Sequence, residues 1–337
     1  MDKESKKPNQ AALIDTYNRR LSYLRVSITD QCNLNCVYCN PYSGLPKLPH
    51  TEILRYEEIE RIVTVAVGLG ISKVRVTGGE PLVRKGVYSF LHRLTQIDGL
   101  TDVSLTTNGV GLNEKLKTIW DAGIRRINIS LDSLDRQKIK QITGHDVLTR
   151  VWKAVMSAHK QGFYPIKLNV VAIRGFNDDE LKKFAELSFQ YPFHVRFIEY
   201  MPIGDSGIEA SQRILSSEIK AKLADLGPLI PVTLSGEGGP AMRYKFEGAL
   251  GEVGFISPIS HHFCRTCNRL RLTASGRLRV CLLSDRFIDL KTPLRSGCSN
   301  DELKELLLSS VRLKPESHDL DRNGSECLQD DMSAIGG

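Results

Sequence analysis

The sequence predicts an α/β fold: an incomplete (βα)6 TIM-type barrel followed by a smaller C-terminal α+β module that closes it. Three observations carry this expectation. Strand patterns alternate with helical ones six times, and repeated βα units argue for a parallel sheet. Read at period two, the six strands have one apolar and one polar face. Beyond about residue 200 the rhythm gives way to a loop, a helix over 216–226 and a glycine-rich turn over 236–240. The barrel, with an N-terminal extension, is therefore expected over 1–215 and the second module over 216–337.

The first strand, 24–29, alternates apolar and polar side chains and runs into a cysteine-bearing loop, after which a helix is expected over 56–68. The strand over 73–77 ends at Gly78 and Gly79, which by themselves are ordinary turn residues. Further strands fall over 102–106, 126–130, 165–171 and 194–198, separated by helices over 87–96, 114–122, 148–162 and 178–189. Leu24, Val26, Ile28, Val74, Val76, Leu105, Ile127, Ile129, Leu168, Val170, Val195 and Phe197 share the apolar face. The other face carries the cations Arg25, Lys73, Arg75, Arg126, Lys167 and Arg196, beside Thr106, Asn169 and His194. Parallel sheets covered on both sides are usually apolar throughout, and closed barrels fill their lumen with branched apolar side chains. A polar face in a βα repeat therefore predicts a basic cavity suited to a multiply charged anion. The alternative, a solvated sheet face, is common in antiparallel sheets and fits βα alternation poorly.

A chain of 337 residues exceeds one ordinary core, and 41% hydrophobic with 7% aromatic residues is ordinary for a globular protein. No apolar run approaches a membrane span, and the polar stretch 1–10 lacks the apolar core of a signal peptide, so a cytoplasmic protein without membrane association is expected. The net charge of +7 favours an anionic ligand without separating a phosphorylated small molecule from nucleic acid.

Six of the eight cysteines fall into two triplets, while Cys298 and Cys327 have no such spacing. Cys32, Cys36 and Cys39 sit in a loop at the C-terminal end of the first strand, where barrel enzymes keep their active sites. A compact triplet with no fourth cysteine nearby suggests an iron–sulfur cubane with one iron open to a ligand. A zinc knuckle is the alternative, although structural zinc closes with four ligands and the nearest histidine, His50, is remote. The second triplet, Cys264, Cys267 and Cys281, fits zinc or iron–sulfur equally on spacing, with His261, His262 and Cys298 as possible fourth ligands. Its flanks read as a hairpin in which Cys267, Arg269, Arg271, Arg279 and Cys281 share a face if no bulge intervenes. Guanidinium forks suit phosphate or a base edge, whereas a plain solvated hairpin would not explain metal ligands on the charged face.

The first triplet, with Tyr38 just before its last cysteine, resembles the signature of radical S-adenosylmethionine (SAM) enzymes. Both triplets together, with Asn268-Arg269-Leu270-Arg271-Leu272 after the second pair, resemble the GTP 3′,8-cyclase family of molybdenum-cofactor biosynthesis over nearly the whole chain. Arg75-Val76-Thr77-Gly78-Gly79-Glu80-Pro81-Leu82, Leu105-Thr106-Thr107-Asn108-Gly109, Ile129-Ser130-Leu131-Asp132, Arg196-Phe197-Ile198-Glu199-Tyr200-Met201 and Gly336-Gly337 match as well. The resemblance implies a barrel of the radical SAM type holding two four-iron, four-sulfur (4Fe-4S) clusters, one on each triplet. SAM would be chelated by the first cluster, with Tyr38 against its adenine and Gly79, Ser130 and Met201 in contact with it. Arg25, Arg75, Thr106, Lys167, Arg269, Leu270 and Arg271 would bind GTP, and Arg269, Arg271, Gly336 and Gly337 would take part in catalysis, the tail reaching into the active site. The implied reaction takes the 3′ hydrogen of GTP with a 5′-deoxyadenosyl radical and cyclises the substrate radical onto guanine C8, giving (8S)-3′,8-cyclo-7,8-dihydroguanosine 5′-triphosphate. An external one-electron reductant, a downstream cyclic pyranopterin monophosphate synthase and a homodimer are implied, and no nucleic acid. Asn40 stands where the family commonly has methionine. The rivals are a radical SAM enzyme acting on a peptide or other substrate, and a basic zinc protein contacting nucleic acid.

Overall fold

Strand side chains point alternately to the two sides of a sheet, so the period-two pattern decides which side meets the helices. The structure, a computed structural model, describes residues 12–39, 47–204, 208–233, 239–318 and 332–336. Gly337, Cys327, Asn40 and much of the 236–240 turn lie outside the described residues. The six expected strands form as β1 Tyr23–Ser27, β2 Lys73–Thr77, β3 Asp102–Thr107, β4 Arg126–Ser130, β5 Ile166–Ala172 and β6 His194–Glu199. Between them run α1 Tyr56–Gly68, α2 Val87–Thr95, α3 Leu116–Asp121, α4 Arg136–Thr143, α5 Leu148–Gln161 and α6 Leu181–Gln190. The later elements are α7 Ser216–Lys222, β7 Ile230–Pro231, β8 Met242–Lys245, β9 Glu252–Ile256, β10 Arg269–Leu272, β11 Arg277–Arg279, β12 Phe287–Asp289, α8 Lys291–Arg295, α9 Asn300–Arg312 and α10 Met332–Ile335.

Among the described residues, the twelve strands join one sheet, in the order β12-β11-β10-β1-β2-β3-β4-β5-β6-β9-β8-β7. The incomplete parallel barrel is present, and the chain beyond it is shared between both of its edges. β10 pairs parallel with β1, and β9 pairs parallel with β6. Bare edges would leave a row of unpaired backbone donors and acceptors, and β9 and β10 satisfy them. The antiparallel pairs β11–β12 and β8–β7 continue the sheet outward. Register sets the site: Arg271 lies opposite Arg25, and Arg25 opposite Arg75, a row of three guanidinium groups on adjacent strands.

The apolar face packs under the helices, with Val26, Ile28, Val74, Val76, Leu105, Ile127, Ile129, Leu168, Val170, Val195 and Phe197 all fully buried. Sequence reading missed α4 and α9. Asp135 caps α4, its Oδ1 accepting from the Gln137 and Lys138 amides at 2.8 and 3.0 Å. Ser299 and Glu302 form a capping box at the start of α9, a signal present in the sequence as Ser-x-x-Glu. The helix expected over 178–189 starts only at Leu181, because Asn177 and Asp178 spend their side chains on the turn, accepting from the Ile173 and Gly175 amides. Among the described residues no helix is long and apolar enough to cross a membrane.

Helix α9 lies on α1, where Arg61 Nε donates to Asn300 Oδ1 at 2.8 Å, and its buried Leu307 joins the main core. Ser299→Ala should cost about 1 kcal/mol through the lost cap, and Leu307→Ala about 3 kcal/mol through the cavity it leaves. Urea denaturation of the two variants should rank them in that order; equal losses would mean that burial of Leu307 contributes no more than the cap.

Candidate active site

A cavity of about 270 Å³ runs from the middle of the barrel strands to their C-terminal ends. All six triplet cysteines line it, as do five arginines: Arg25, Arg75 and Arg196 from the barrel, Arg269 and Arg271 from β10. Among the described residues the acidic lining side chains are Asp132 and Glu199, and both are engaged. Asp132 accepts from Tyr38 and from the Val171 amide. Glu199 takes the amides of Ser216, Ile259 and Ser260, tying β6 to the loop after β9.

The first triplet's loop is pinned to the end of α4, with the Asn35 amide on Thr143 O at 3.0 Å and the Val37 amide on Ile142 O at 2.9 Å. Two N–H groups point at Cys32 Sγ, the Leu34 amide at 3.4 Å and Asn108 Nδ2 at 3.8 Å. Tyr38 donates to Asp132 Oδ2 at 2.5 Å, which holds the tyrosine against the cavity wall. Burial pushes the Asp132 carboxyl up to about 6 and the Tyr38 phenol well up. The next wall is the Gly78-Gly79 turn after β2. A Cβ on Gly79 would come within 2.4 Å of Gln31 O, and one on Gly78 within 2.7 Å of Thr29 O, so the two loops touch backbone to backbone. Glu80 locks this turn to β3, accepting from Thr107 Oγ1 at 2.8 Å and the Asn108 amide at 2.6 Å, and burial pushes its carboxyl up to about 7.

The second triplet follows β9. Arg19, itself buried, donates to Cys264 O at 2.7 Å, and Lys314 Nζ lies 3.5 Å from Cys267 Sγ. Burial opposes ionisation of Cys267, but the Lys314 and Arg269 cations outweigh it and hold the thiol below its usual range. Cys281 goes the other way, pushed up by burial. Of the suggested fourth ligands, Cys298 lies beside α1, its carbonyl accepting from Arg61, and His261 does not line the cavity. His262 does line it, with its ring 4.2 Å from that of His318, which the sequence did not single out. Arg279 is likewise turned away from the cavity: its Nη2 bonds Ser284 O and Asp285 Oδ1, because the loop after β11 folds back over it.

The donor chemistry bears on the metal. All six thiols are free of disulfides. Among the described residues the group whose ligand atoms gather within 4.8 Å is His262, Cys264 and His318, so neither cysteine triplet closes to that span. One tetrahedral zinc with sulfur bonds of about 2.3 Å would draw its thiolates closer than that. Three wider-set thiols with N–H donors aimed at sulfur suit a multi-iron cluster.

The remaining lining shows what kind of ligand the cavity lacks. Thr106 Oγ1, Asn169 Oδ1 and Arg269 Nε are buried without a hydrogen-bond partner, and all three residues line the cavity. Buried polar atoms are ordinarily bonded, so a polar guest is implied. Burial and the neighbouring arginines push Arg196 down to about 9 and Arg271 to about 10. Deeper in the barrel, burial and the cations Arg196, Arg75 and Arg126 push Lys167 down to about 6. Tyr38, Gly79, Ser130, Met201, Arg25, Arg75, Thr106, Arg269 and Arg271 thus come together on one cavity. Leu270 and Lys167 are not among its lining residues: the Leu270 side chain is buried in the main core, leaving only its main chain for a ligand, and Lys167 lies on β5 beside Arg196. Gly336 reaches the barrel strands, its carbonyl 3.1 Å from Arg271 Nη1 and its Cα so close that a Cβ would sit 2.9 Å from Ser27 and Thr77. With φ at +75° and that contact, only glycine fits there. Ile335 packs with Ile203 and Leu283, which seats the tail over the cavity mouth. Arg196 and Asn169 were legible as members of the polar strand face; Met332, Lys314 and His318 carried no local signal.

The Radical SAM superfamily model matches residues 26–188, and the Molybdenum Cofactor Synthesis C model matches residues 193–320. A GTP 3′,8-cyclase of Pelotomaculum thermopropionicum is 48% identical over 325 residues, covering 96% of this chain and 99% of its own. Another, from Moorella thermoacetica, is 46% identical over 323 residues, again covering 96% and 99%. Among solved structures, Streptococcus suis SuiB bound to S-adenosylmethionine superposes with a TM-score of 0.62 over 93% of this chain and 78% of that one, at 13% identity, a likeness of fold.

Since the two loops meet backbone to backbone, Gly79→Ala should displace the 30–31 carbonyls and with them the first cysteine loop. Metal bound per chain after anaerobic reconstitution is expected to fall, whereas Gly111→Ala, where a Cβ meets nothing within 4 Å, should leave it unchanged.

Proposed function

The chain belongs to the GTP 3′,8-cyclase family of radical SAM enzymes, and on that premise we propose that it cyclises GTP in the first step of molybdenum-cofactor biosynthesis, with its two cysteine triplets holding two 4Fe-4S clusters at opposite sides of one basic cavity. The observation that carries this reading is the convergence of six cysteines and five arginines on a single cavity. When bound, the first cluster and SAM supply a 5′-deoxyadenosyl radical able to take the 3′ hydrogen of GTP. Everything else falls to the chain's own residues.

In this reading Cys32, Cys36 and Cys39 ligate the SAM-binding cluster and Cys264, Cys267 and Cys281 the second. Gly79, Ser130 and Met201 border SAM, and Tyr38, held by Asp132, offers a flat face to its adenine. Arg25, Arg75, Thr106 and Lys167, together with Arg196, take the triphosphate, because guanidinium forks match phosphate oxygens and their mutual repulsion is relieved by a polyanion. Arg269 and Arg271, beside the second triplet, orient the nucleoside, with the Leu270 main chain between them. Fixing both ends of GTP puts its 3′ carbon and guanine C8 at a set distance, so that cyclisation proceeds from one bound geometry. Gly336 brings the tail to Arg271 and closes the cavity against water and side reactions, and Gly336 and Gly337 take part in catalysis. The product is (8S)-3′,8-cyclo-7,8-dihydroguanosine 5′-triphosphate, passed to a cyclic pyranopterin monophosphate synthase. Residues 1–215 form the radical SAM part and 216–337 the substrate-holding part of a cytoplasmic homodimer fed by an external one-electron reductant.

The test is an anaerobic assay of the reconstituted, reduced protein with SAM, with and without GTP, following 5′-deoxyadenosine and the cyclised nucleotide. Both are expected to depend on GTP, and Arg75→Ala should lose most GTP turnover while still cleaving SAM. Deoxyadenosine formation with GTP untouched by the wild-type protein would assign the radical chemistry to another substrate.

Lys167 adds a pH signature. Its free-state value of about 6 means that the empty site holds it neutral at pH 8, and a bound triphosphate favours the ammonium. GTP binding should therefore take up a proton, and affinity should fall by up to about tenfold per pH unit above pH 6 until the bound-state value is passed. Calorimetry in buffers of differing ionisation enthalpy reads the proton directly. Lys167→Met should remove that part of the uptake; an unchanged proton count would exclude Lys167 from the phosphate site.

A further inference from the structure

Lys314 lies just past α9 and is 3% exposed. An ammonium has three donors, and here each has a partner: Cys267 Sγ at 3.5 Å, Arg269 O at 2.9 Å and Val280 O at 2.7 Å. None of these is a carboxylate. Two carbonyls solvate the group but leave its charge uncompensated, and a buried charge is costly unless paired. Among the described residues, the groups acting on it that can carry a negative charge are Cys267 and Cys281, while Arg19, also close, is itself cationic and buried. Arg19 already has its own counterion, Asp15, at 2.6 Å. The three bonds of Lys314 also span the triplet's framework. Arg269 O belongs to β10, two residues past Cys267, and Val280 O belongs to the peptide that leads into Cys281.

We propose that Lys314 is the counter-cation and positioning residue of the second iron–sulfur cluster, its N–H···S bond and positive charge biasing that cluster toward its one-electron-reduced state while its carbonyl bonds hold Cys267 and Cys281 at a fixed spacing. This rests on the two-cluster reading above. Reduction adds negative charge to the cluster, so a fixed cation and a hydrogen bond to its thiolate stabilise the reduced form more than the oxidised one. The role is distinct from substrate binding, since the Lys314 donors are spent on Cys267 Sγ and two main-chain carbonyls.

The test uses the full chain with Cys32→Ala, Cys36→Ala and Cys39→Ala, so that only the second triplet holds a cluster, combined with either Lys314→Met or Lys314→Arg. Iron and sulfide are counted after reconstitution, and the midpoint potential is read by redox titration followed by electron paramagnetic resonance. The parent is expected to bind about four irons; a parent that binds none overturns the two-cluster reading, and this proposal with it, before any potential is read. With the cluster in place, Lys314→Met should lower the midpoint potential by at least a tenfold change in the reduction equilibrium, about 59 mV for one electron. Lys314→Arg, which keeps the charge, should recover most of that shift. Loss of iron from the methionine variant alone also supports a counter-cation. Equal potentials in all three proteins, or equal iron loss in both lysine variants, would reduce Lys314 to a strut and overturn the proposal.

Discussion

Five guanidinium groups share one cavity, and no pair of them attracts. Arg271, Arg25 and Arg75 stand in register on three neighbouring strands, so the pairings of β10 with β1 and of β1 with β2 also bring like charges together. The lumen therefore contributes little to folding and opposes it until an anion enters. What holds the barrel lies on its other side, where fully buried strand residues meet the helices. This division of labour, with stability outside and recognition inside, explains how a parallel sheet tolerates a polar face at all. It also explains why burial and mutual repulsion depress Arg25, Arg196, Arg271 and Lys167 together.

The second constraint is the sheet's two bare edges. β10 satisfies one and β9 the other, and the loop between those strands carries Cys264 and Cys267. Because that loop must cross from one edge of the barrel to the other, it passes over the open ends of the strands, where the first triplet lies. The two triplets share one cavity for a topological reason rather than through any direct bond between them. Glu199, Arg19 and Lys314 then fix the crossing segment at the end of β6, at the N-terminal stretch and at the end of α9. The tail completes the enclosure, since Gly336 fits only because it has no side chain to meet Ser27 and Thr77.

Much of the barrel was legible because its signals are local. Alternation over five to seven residues places a strand and assigns its faces, and α1 and β2 begin and end where the pattern says. The helix starts that went unread, at Asp135 and Ser299, were written in capping residues rather than in periodicity. Arg279 shows the limit of the period-two rule. It alternates correctly along β11, yet a turn three-dimensionally adjacent to it captures its side chain. Val280 and Cys281 both line the cavity, because the strand has ended and strict alternation with it.

By itself the sequence determined the two cysteine triplets, the basic inner face of the strands and the family resemblance, since each depends on residue type and short spacing. Only the tertiary structure decided that β9 and β10 take opposite edges, that both triplets and the arginines share one cavity, and that Lys314 bonds Cys267 across nearly fifty residues of chain. Pairing a strand with an edge is a choice among backbones that all offer the same donors and acceptors. Nothing within the strand's own few residues makes that choice; the packing of the whole chain does.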